Sequence, residues 1–420
     1  MKDFETAERK MGDKPVFLLG AGSSVDAGIP TTNDMTKTIL KKIQESYRYE
    51  LEEKVLKYVI GGMQFRRGVK GGDPFAGINI EDLFSAVEML ADRNELDIAP
   101  FVGTWSPTIE EIEKSDEISL DSWRLESDFK ELVENLIRDI DTDKNSGFGG
   151  SFSRRQSVHI FHAKHSLEKL IENIFNSIKE AFRGKTEAFS HTADTMLRLR
   201  VEMVWIEDEQ KIKYIEPLIT LEQGDVVTIA SLNYDNVIEL CAEKMDIKVA
   251  TGLTSWSQVG VIDPPKNGIE LLKLHGSVDW DLQQNQRTRN KIPHDIIQRA
   301  KIEDIRKGYR YRPAVVFGSG NKLTAQGPFI ELFRAFGRRI ENCILLVTIG
   351  YSFRDEHINE VLKRWLNANV ERQMIVITRE GSDPNRIKFI RECRKYIKDR
   401  IHVHCVGARR GIQDRIWEGI

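Results

Sequence analysis

The chain has 420 residues, of which 40% are hydrophobic and 30% charged, the balance of a globular protein with a sizeable core. Its formal net charge of −3 gives no global field that draws it to nucleic acid or a membrane surface, and no apolar run is long enough to cross a bilayer. The four cysteines, Cys241, Cys343, Cys393 and Cys405, are scattered without a CxxC pair. That excludes a disulfide scaffold and an ordinary zinc ribbon, and fits buried small hydrophobes in a reducing cytoplasm.

The opening residues, MKDFETAERKMGDKP, are charged throughout and lack the apolar core of a signal or transit peptide. Residues 15–20, PVFLLG, form a short apolar run closed by glycine, as a strand buried on both faces does, and a helical pattern starts near Asp34. From about residue 44 to 221 the composition shifts to Glu, Lys, Leu and Arg at helical spacing, as in 126–140 and 165–182, with a glycine- and serine-rich break at 145–153. From about Asp225, short apolar runs alternate with helices, at 226–231, 271–276, 314–320, 343–350, 374–378 and 401–406. This pattern predicts an α/β fold: a Rossmann-like parallel sheet with helices on both faces and a large helical insertion after the first βα unit. Residues 12–43 and 222–420 are expected to form one discontinuous sheet domain, and 44–221 the mainly helical insertion.

GAGSSVDAGIP, from Gly20 to Pro30, lies between the first strand and the first helix. By taking positive φ, Gly20 and Gly22, with Ala21 between them, would let the backbone approach a pyrophosphate, and the amides near Ser23 and Ser24 would face its oxygens. A glycine turn that only joins strand to helix is the alternative. A dehydrogenase fingerprint needs a third glycine three positions after Gly22; Val25 stands there and the next glycine is Gly28, which argues against hydride transfer. Asp26 is expected to point away from any phosphate.

Two other features have less specific readings. His159, His162 and His165 recur every three residues and are either surface histidines or metal ligands. Basic stretches at 287–312, with Tyr309 and Tyr311 interleaved, and at 385–400 can track a phosphate backbone or form solvated helix faces; acidic neighbours dilute both. Nucleic-acid contact is therefore left open.

GAG followed by serine and GIP resembles the sirtuin signature, and four further pieces occur in sirtuin order: LNYD (232–235), KLHGS (273–277), FGSG (317–320) and IGYSFRDEHIN (349–359). The wording of NYD, of LHGS followed by Trp280, and of GYSFRDEHIN is similar to that of bacterial sirtuin-like NADases of antiphage defence. Size and layout are most similar to those paired with a HerA-type ATPase. The resemblance covers about residues 16–34 and 225–420. It departs from sirtuin deacylases at Pro30, which is followed by Thr31, Thr32 and Asn33 instead of Asp-Phe-Arg, and in lacking a four-cysteine zinc module.

The resemblance implies NAD as substrate, no zinc, and cleavage of the nicotinamide–ribose bond to nicotinamide and ADP-ribose in an abortive antiphage response. It implies Asn233 holding the ribose and orienting water, and His275 taking a proton. Gly20, Ala21, Gly22, Ser23, Ser24, Gly28, Pro30, Asp235, Gly318, Ser319, Gly350 and Ser352 would line the NAD pocket. Asn233 and Asp235 have a second reading as turn or helix-cap residues, and Asn79, at the head of NIEDLF, as an N-cap with Asp82 at the third helical position. A cytoplasmic homo-oligomer, restrained until triggered and assembled through the insertion, is the implied state. The alternatives are an NAD-dependent protein deacylase, or a non-catalytic NAD-binding, DNA-associated subunit of a defence complex.

Overall fold

The computed structural model describes residues 14–93, 187–222, 225–285, 294–303, 313–315 and 327–419. The chain divides into two compact units, one of Met1–Lys41, Ala76–Ser85 and Met196–Ile420, the other of Lys42–Phe75 and Ala86–Thr195.

The first unit is built on a seven-stranded, wholly parallel sheet, in which β1 (Val16–Leu19) is central. The others are β2 (Val226–Ser231), β3 (Val249–Ala250), β4 (Gly268–Lys273), β8 (Leu345–Ile349), β9 (Gln373–Thr378) and β10 (Ile401–Cys405). The order across the sheet is β10-β9-β8-β1-β2-β4-β3. All four residues of β1 are buried and alternate between the faces. On one face Leu18, Ala230, Leu272, Leu346 and Met374 share a core with Phe336, Trp365 and Ile390 from the helices Phe329–Glu341, Glu356–Ala368 and Lys388–Ile397. On the other, Phe17 meets Trp417 edge-on, ring centroids 5.1 Å apart. Burial on both faces is why these strands read as unbroken apolar runs.

From β1 the chain builds β2, β4 and β3 to one side, and later β8, β9 and β10 to the other. The order thus reverses at β1, and in open α/β sheets ligands bind at the carboxyl ends of strands at such a switch point. Glu270 on β4 is buried and accepts two short bonds from the Arg339 guanidinium, at 2.8 and 3.0 Å, which fixes the helix Phe329–Glu341 to that side of the sheet.

Of the six apolar runs after Asp225, five supply β2, β4, β8, β9 and β10. The described residues of the run at 314–320 do not join the parallel sheet. They lie in β7 (Pro313–Val315), which pairs antiparallel with β5 (Gly276–Asn285), and β5 pairs with β6 (His294–Arg299) in a separate three-stranded sheet. The reason lies at Gly276, where φ is +84° and a Cβ would stand 1.8 Å from the Ala314 carbonyl oxygen. Only glycine permits that approach, so the chain turns out of the sheet directly after β4.

In the second unit the helix Glu50–Val69 buries Val55, Leu56 and Val59, and Glu52 on the same helix accepts a 3.0 Å bond from the Thr195 hydroxyl. The described residues between β1 and β2 contain helices and no strand. The helices expected at 126–140 and 165–182, the break at 145–153 and the three spaced histidines lie outside the described residues. No described helix is long and apolar enough to cross a membrane. Cys241 and Cys343 are buried, and burial pushes both thiols up to about 12, which leaves them as inert hydrophobes.

Candidate active site

The glycine loop after β1 does not take the shape its sequence suggests. Gly20 is extended, with φ −111°, and Gly22 is not among the glycines of positive φ. Their small size serves a backbone-on-backbone contact with the loop after β8: the Gly20 N–H donates to Ile349 O and the Gly22 N–H to Gly350 O, both at 2.9 Å. Gly350 has φ +64°, and a Cβ there would lie 2.2 Å from the Ser23 nitrogen. The Ser23 and Ser24 amides, expected to face phosphate oxygens, instead donate to Gly20 O and Ala21 O in tight 3-10 turns. Packing of the two loops at the β1–β8 switch point thus requires glycine at Gly20, Gly22 and Gly350. Gly28, with φ +86°, ends the second turn, Val25–Ala27, just before Pro30. Asp26 accepts from the Arg409 backbone N–H at 2.9 Å, and so is engaged with the C-terminal segment.

Asn233, 8% exposed, is the hub of this edge. Its Nδ2 lies 3.0 Å from Gly20 O, 3.1 Å from Ser23 Oγ and 2.9 Å from Ser24 Oγ. Because a backbone carbonyl can only accept, the side-chain nitrogen must be the atom facing the loop, and the amide oxygen faces the other way. Ser24 also bonds the Asp235 carboxylate, which accepts the Val237 N–H at 3.1 Å at the head of the helix Val237–Lys244. Burial pushes the Asp235 carboxyl up, against the pull of Lys273 and of the Ser24 bond. Tyr214 braces the same loop, its hydroxyl donating to Ser23 O at 2.6 Å.

Lys273, the last residue of β4, is 1% exposed. Its ammonium donates to the Asp235 backbone carbonyl, to Glu239 Oε1 at 2.9 Å and to Ser277 Oγ at 2.8 Å, so all three of its protons are placed. Burial pushes the Glu239 carboxyl up, and the Lys273 charge opposes that shift. A buried, fully bonded cation of this kind fixes the β2 and β4 ends against each other.

His275 stands two residues beyond Lys273, 2% exposed. Ser231 and Lys273 are partners in the parallel register, so Asn233 and His275 leave neighbouring strand ends at the same level. Parallel strands run about 4.8 Å apart, which brings both residues to one side of the sheet edge. The His275 Nε2 is 3.9 Å from Asp355 Oδ1, and its ring lies 6.3 Å from Tyr234 and 6.2 Å from His357. Behind it the Tyr234 hydroxyl donates to Glu81 at 3.2 Å, and the Arg200 guanidinium lies 4.5 Å over the Tyr234 ring. Burial, with Glu81 beside it, pushes the Tyr234 phenol well up and keeps it a neutral donor. Asn79 caps the helix Ile80–Ala91, accepting the Glu81 N–H at 2.9 Å, and thereby places Glu81.

Ala21, Ser352 and Gly28 are exposed at this edge, Pro30 is half-buried, and Gly318 and Ser319 lie outside the described residues. Ser352 follows Gly350 in a loop held by Tyr351 and Asn359: the tyrosine hydroxyl donates to Asn359 Oδ1 at 3.0 Å, and Asn359 Nδ2 to Phe353 O at 2.9 Å. Sequence reasoning missed Lys273, Tyr214, Glu81, Arg200, Asp355 and His357. Two signals were available: Lys273 interrupts an apolar run beside LHGS, and Asp355 and His357 lie inside the GYSFRDEHIN segment.

No curated protein matches this chain. Two solved structures are similar to it. One is described as "Structure of Sir2Tm bound to a propionylated peptide", with 12% identity, 55% of this chain and 81% of that chain covered, and a TM-score of 0.31. The other is described as "Structural Basis for the Mechanism and Regulation of Sir2 Enzymes", with 15% identity, 55% and 80% covered, and a TM-score of 0.32. Residues 227–397, which run from β2 through the helix Lys388–Ile397 and include Asn233, His275 and Asp355, match the family model described as SIR2-like domain.

Proposed function

We propose that the chain binds NAD along the carboxyl edge of the sheet and hydrolyses its nicotinamide–ribose bond, giving nicotinamide and ADP-ribose. The observation that carries this reading is the register of β2 and β4, which sends Asn233 and His275 out of adjacent strand ends, with Asn233 bonded to the glycine loop. The match to the SIR2-like domain supports NAD as the substrate. In the reaction the C1′–N bond breaks with its electron pair leaving on nicotinamide, and positive charge develops on the ribose as in glycoside hydrolysis. Water adds to C1′, and its surplus proton passes to His275 and then to solvent. The Asn233 nitrogen is committed to the loop, so its amide oxygen is the atom that accepts from the water or a ribose hydroxyl. Asp235 acts behind it, through Ser24.

Thr31, Thr32 and Asn33 stand where deacylases carry Asp-Phe-Arg, which favours water over an acyl-lysine as acceptor. In this proposal residues 12–43 and 222–420 form the catalytic domain and 44–221 the insertion that supports a homo-oligomer, although its segments Ala76–Ser85 and 196–221 belong to the sheet unit. The enzyme acts in the cytoplasm as an antiphage effector, restrained until triggered, with a HerA-type ATPase as its partner. The test is chromatography of NAD incubated with wild type and with Asn233→Ala. Equal yields of nicotinamide and ADP-ribose from the wild type alone are the expected result. Turnover only after an acyl-lysine peptide is added would make the chain a deacylase. NAD binding with no turnover would make it an assembly subunit.

A further inference from the structure

We propose that His275, Asp355 and His357 form a binding site for a divalent transition-metal ion of zinc type. One ligand atom from each of the three lies within 4.8 Å of the other two. Zinc holds nitrogen and oxygen ligands at about 2.0–2.2 Å, which puts neighbouring ligands of a tetrahedral site roughly 3.4 Å apart. The His275–Asp355 separation of 3.9 Å is within half an ångström or so of that spacing, and a ligand atom of the half-buried His357 lies within 4.8 Å of both. Two imidazoles and one carboxylate suit zinc, cobalt or ferrous iron better than magnesium or calcium, which prefer all-oxygen sets.

The groups come from two rigid carriers. His275 is fixed at the end of β4, next to the fully bonded Lys273. Asp355 and His357 flank the first residue of the helix Glu356–Ala368. The loop before that helix is anchored by the Tyr351–Asn359–Phe353 bonds and holds Phe353 at φ +56°. A residue with a Cβ adopts that conformation only where its surroundings impose it, so the surrounding bonds determine where Asp355 sits. Three protein ligands leave one position of a tetrahedral site to water or substrate, and Asp355 and His357 are both only half-buried. A metal here occupies the imidazole that the hydrolytic reading uses to accept a proton, so the ion would inhibit NAD cleavage. That consequence rests on the proposed function; the binding itself does not.

Equilibrium dialysis with Zn2+, and visible absorption with Co2+, should be run on wild type, His357→Ala and Asp355→Asn after tag removal. Stoichiometric zinc on the wild type, weakened by about tenfold or more in each variant, is the expected result, with the Co2+ bands lost in parallel. Zinc should also raise the melting temperature of the wild type and not of His357→Ala, and His357→Asn provides the same comparison should the alanine variant fold poorly. Equal zinc affinity in wild type and variants overturns the proposal. If zinc binding depends on His357 while NAD is untouched by the wild type, the metal site stands and the hydrolase reading falls. If NAD is cleaved and zinc is not bound, the reverse holds.

Discussion

Two buried carboxylates, one in each unit, are balanced in opposite directions. Glu52, on the helix Glu50–Val69, is opposed by burial but bonded by His191 and Thr195, and the bonds win: its carboxyl is held below the usual range. Asp235, at the carboxyl edge of the sheet, is also bonded, by Ser24 and the Val237 N–H, and lies near the Lys273 charge. There burial wins and the carboxyl is pushed up. The helical pair is a structural solution, in which a buried charge is stabilised by its neighbours. The sheet edge keeps an acid, and the nearby Glu239, under a desolvation penalty. Groups held at such a cost cluster at functional sites, where their arrangement serves chemistry before stability.

The strongest way to break this contrast is at His275. If the sheet edge is the reacting region, His275→Ala should lower kcat for NAD cleavage by about 10²–10⁴-fold, with nicotinamide release as the readout. An unchanged rate would assign the imidazole to packing alone, like the saturated pair around Glu52. Next in size is Gly350→Ala. Its φ of +64° and the 2.2 Å approach to the Ser23 nitrogen leave no room for a methyl group. A loss of about 3 kcal/mol or more in stability is expected by denaturant unfolding, with NAD cleavage lost as the loop after β1 is displaced. A variant as stable as wild type would mean that the two loops separate freely.

Most of the parallel sheet was legible because its strands are buried on both faces and so read as apolar runs bounded by glycine. The strand ends were legible too, since LNYD directly follows one such run and KLHGS closes another. The antiparallel sheet of β5, β6 and β7 was not, because the residues of β7 have the same composition as a sheet strand; the diversion depends on Gly276, whose φ and close neighbour no local pattern reveals. For the same reason no local pattern shows that Gly20 and Gly22 pack against Gly350, some 330 residues further along the chain. Lys273 and Glu239 become a pair only when β4 meets the helix after β2, and Asp355 meets His275 only across the sheet. Such contacts of high sequence separation are set by topology, which periodicity does not encode.

The smallest effect, and the one that sharpens the contrast most directly, is in how stability varies with pH for Glu52→Gln and Asp235→Asn. Glu52 has a lowered folded-state pKa, so its contribution is present above the unfolded pKa and is lost as pH falls through the folded one. Glu52→Gln should therefore cost about 1–3 kcal/mol near neutral pH, and the gap to wild type should narrow in acid. Asp235 has a raised folded-state pKa, so its protonated form is the one the fold favours, and that favour is lost as pH rises through the folded value. Asp235→Asn keeps an acceptor for the Val237 N–H and leaves untouched the backbone carbonyl that Lys273 binds. Its stability relative to wild type should hence improve as pH rises, the opposite slope to Glu52→Gln. Urea unfolding of both variants across the acid-to-neutral range reads the two slopes, and equal signs would show that the two carboxylates are balanced alike.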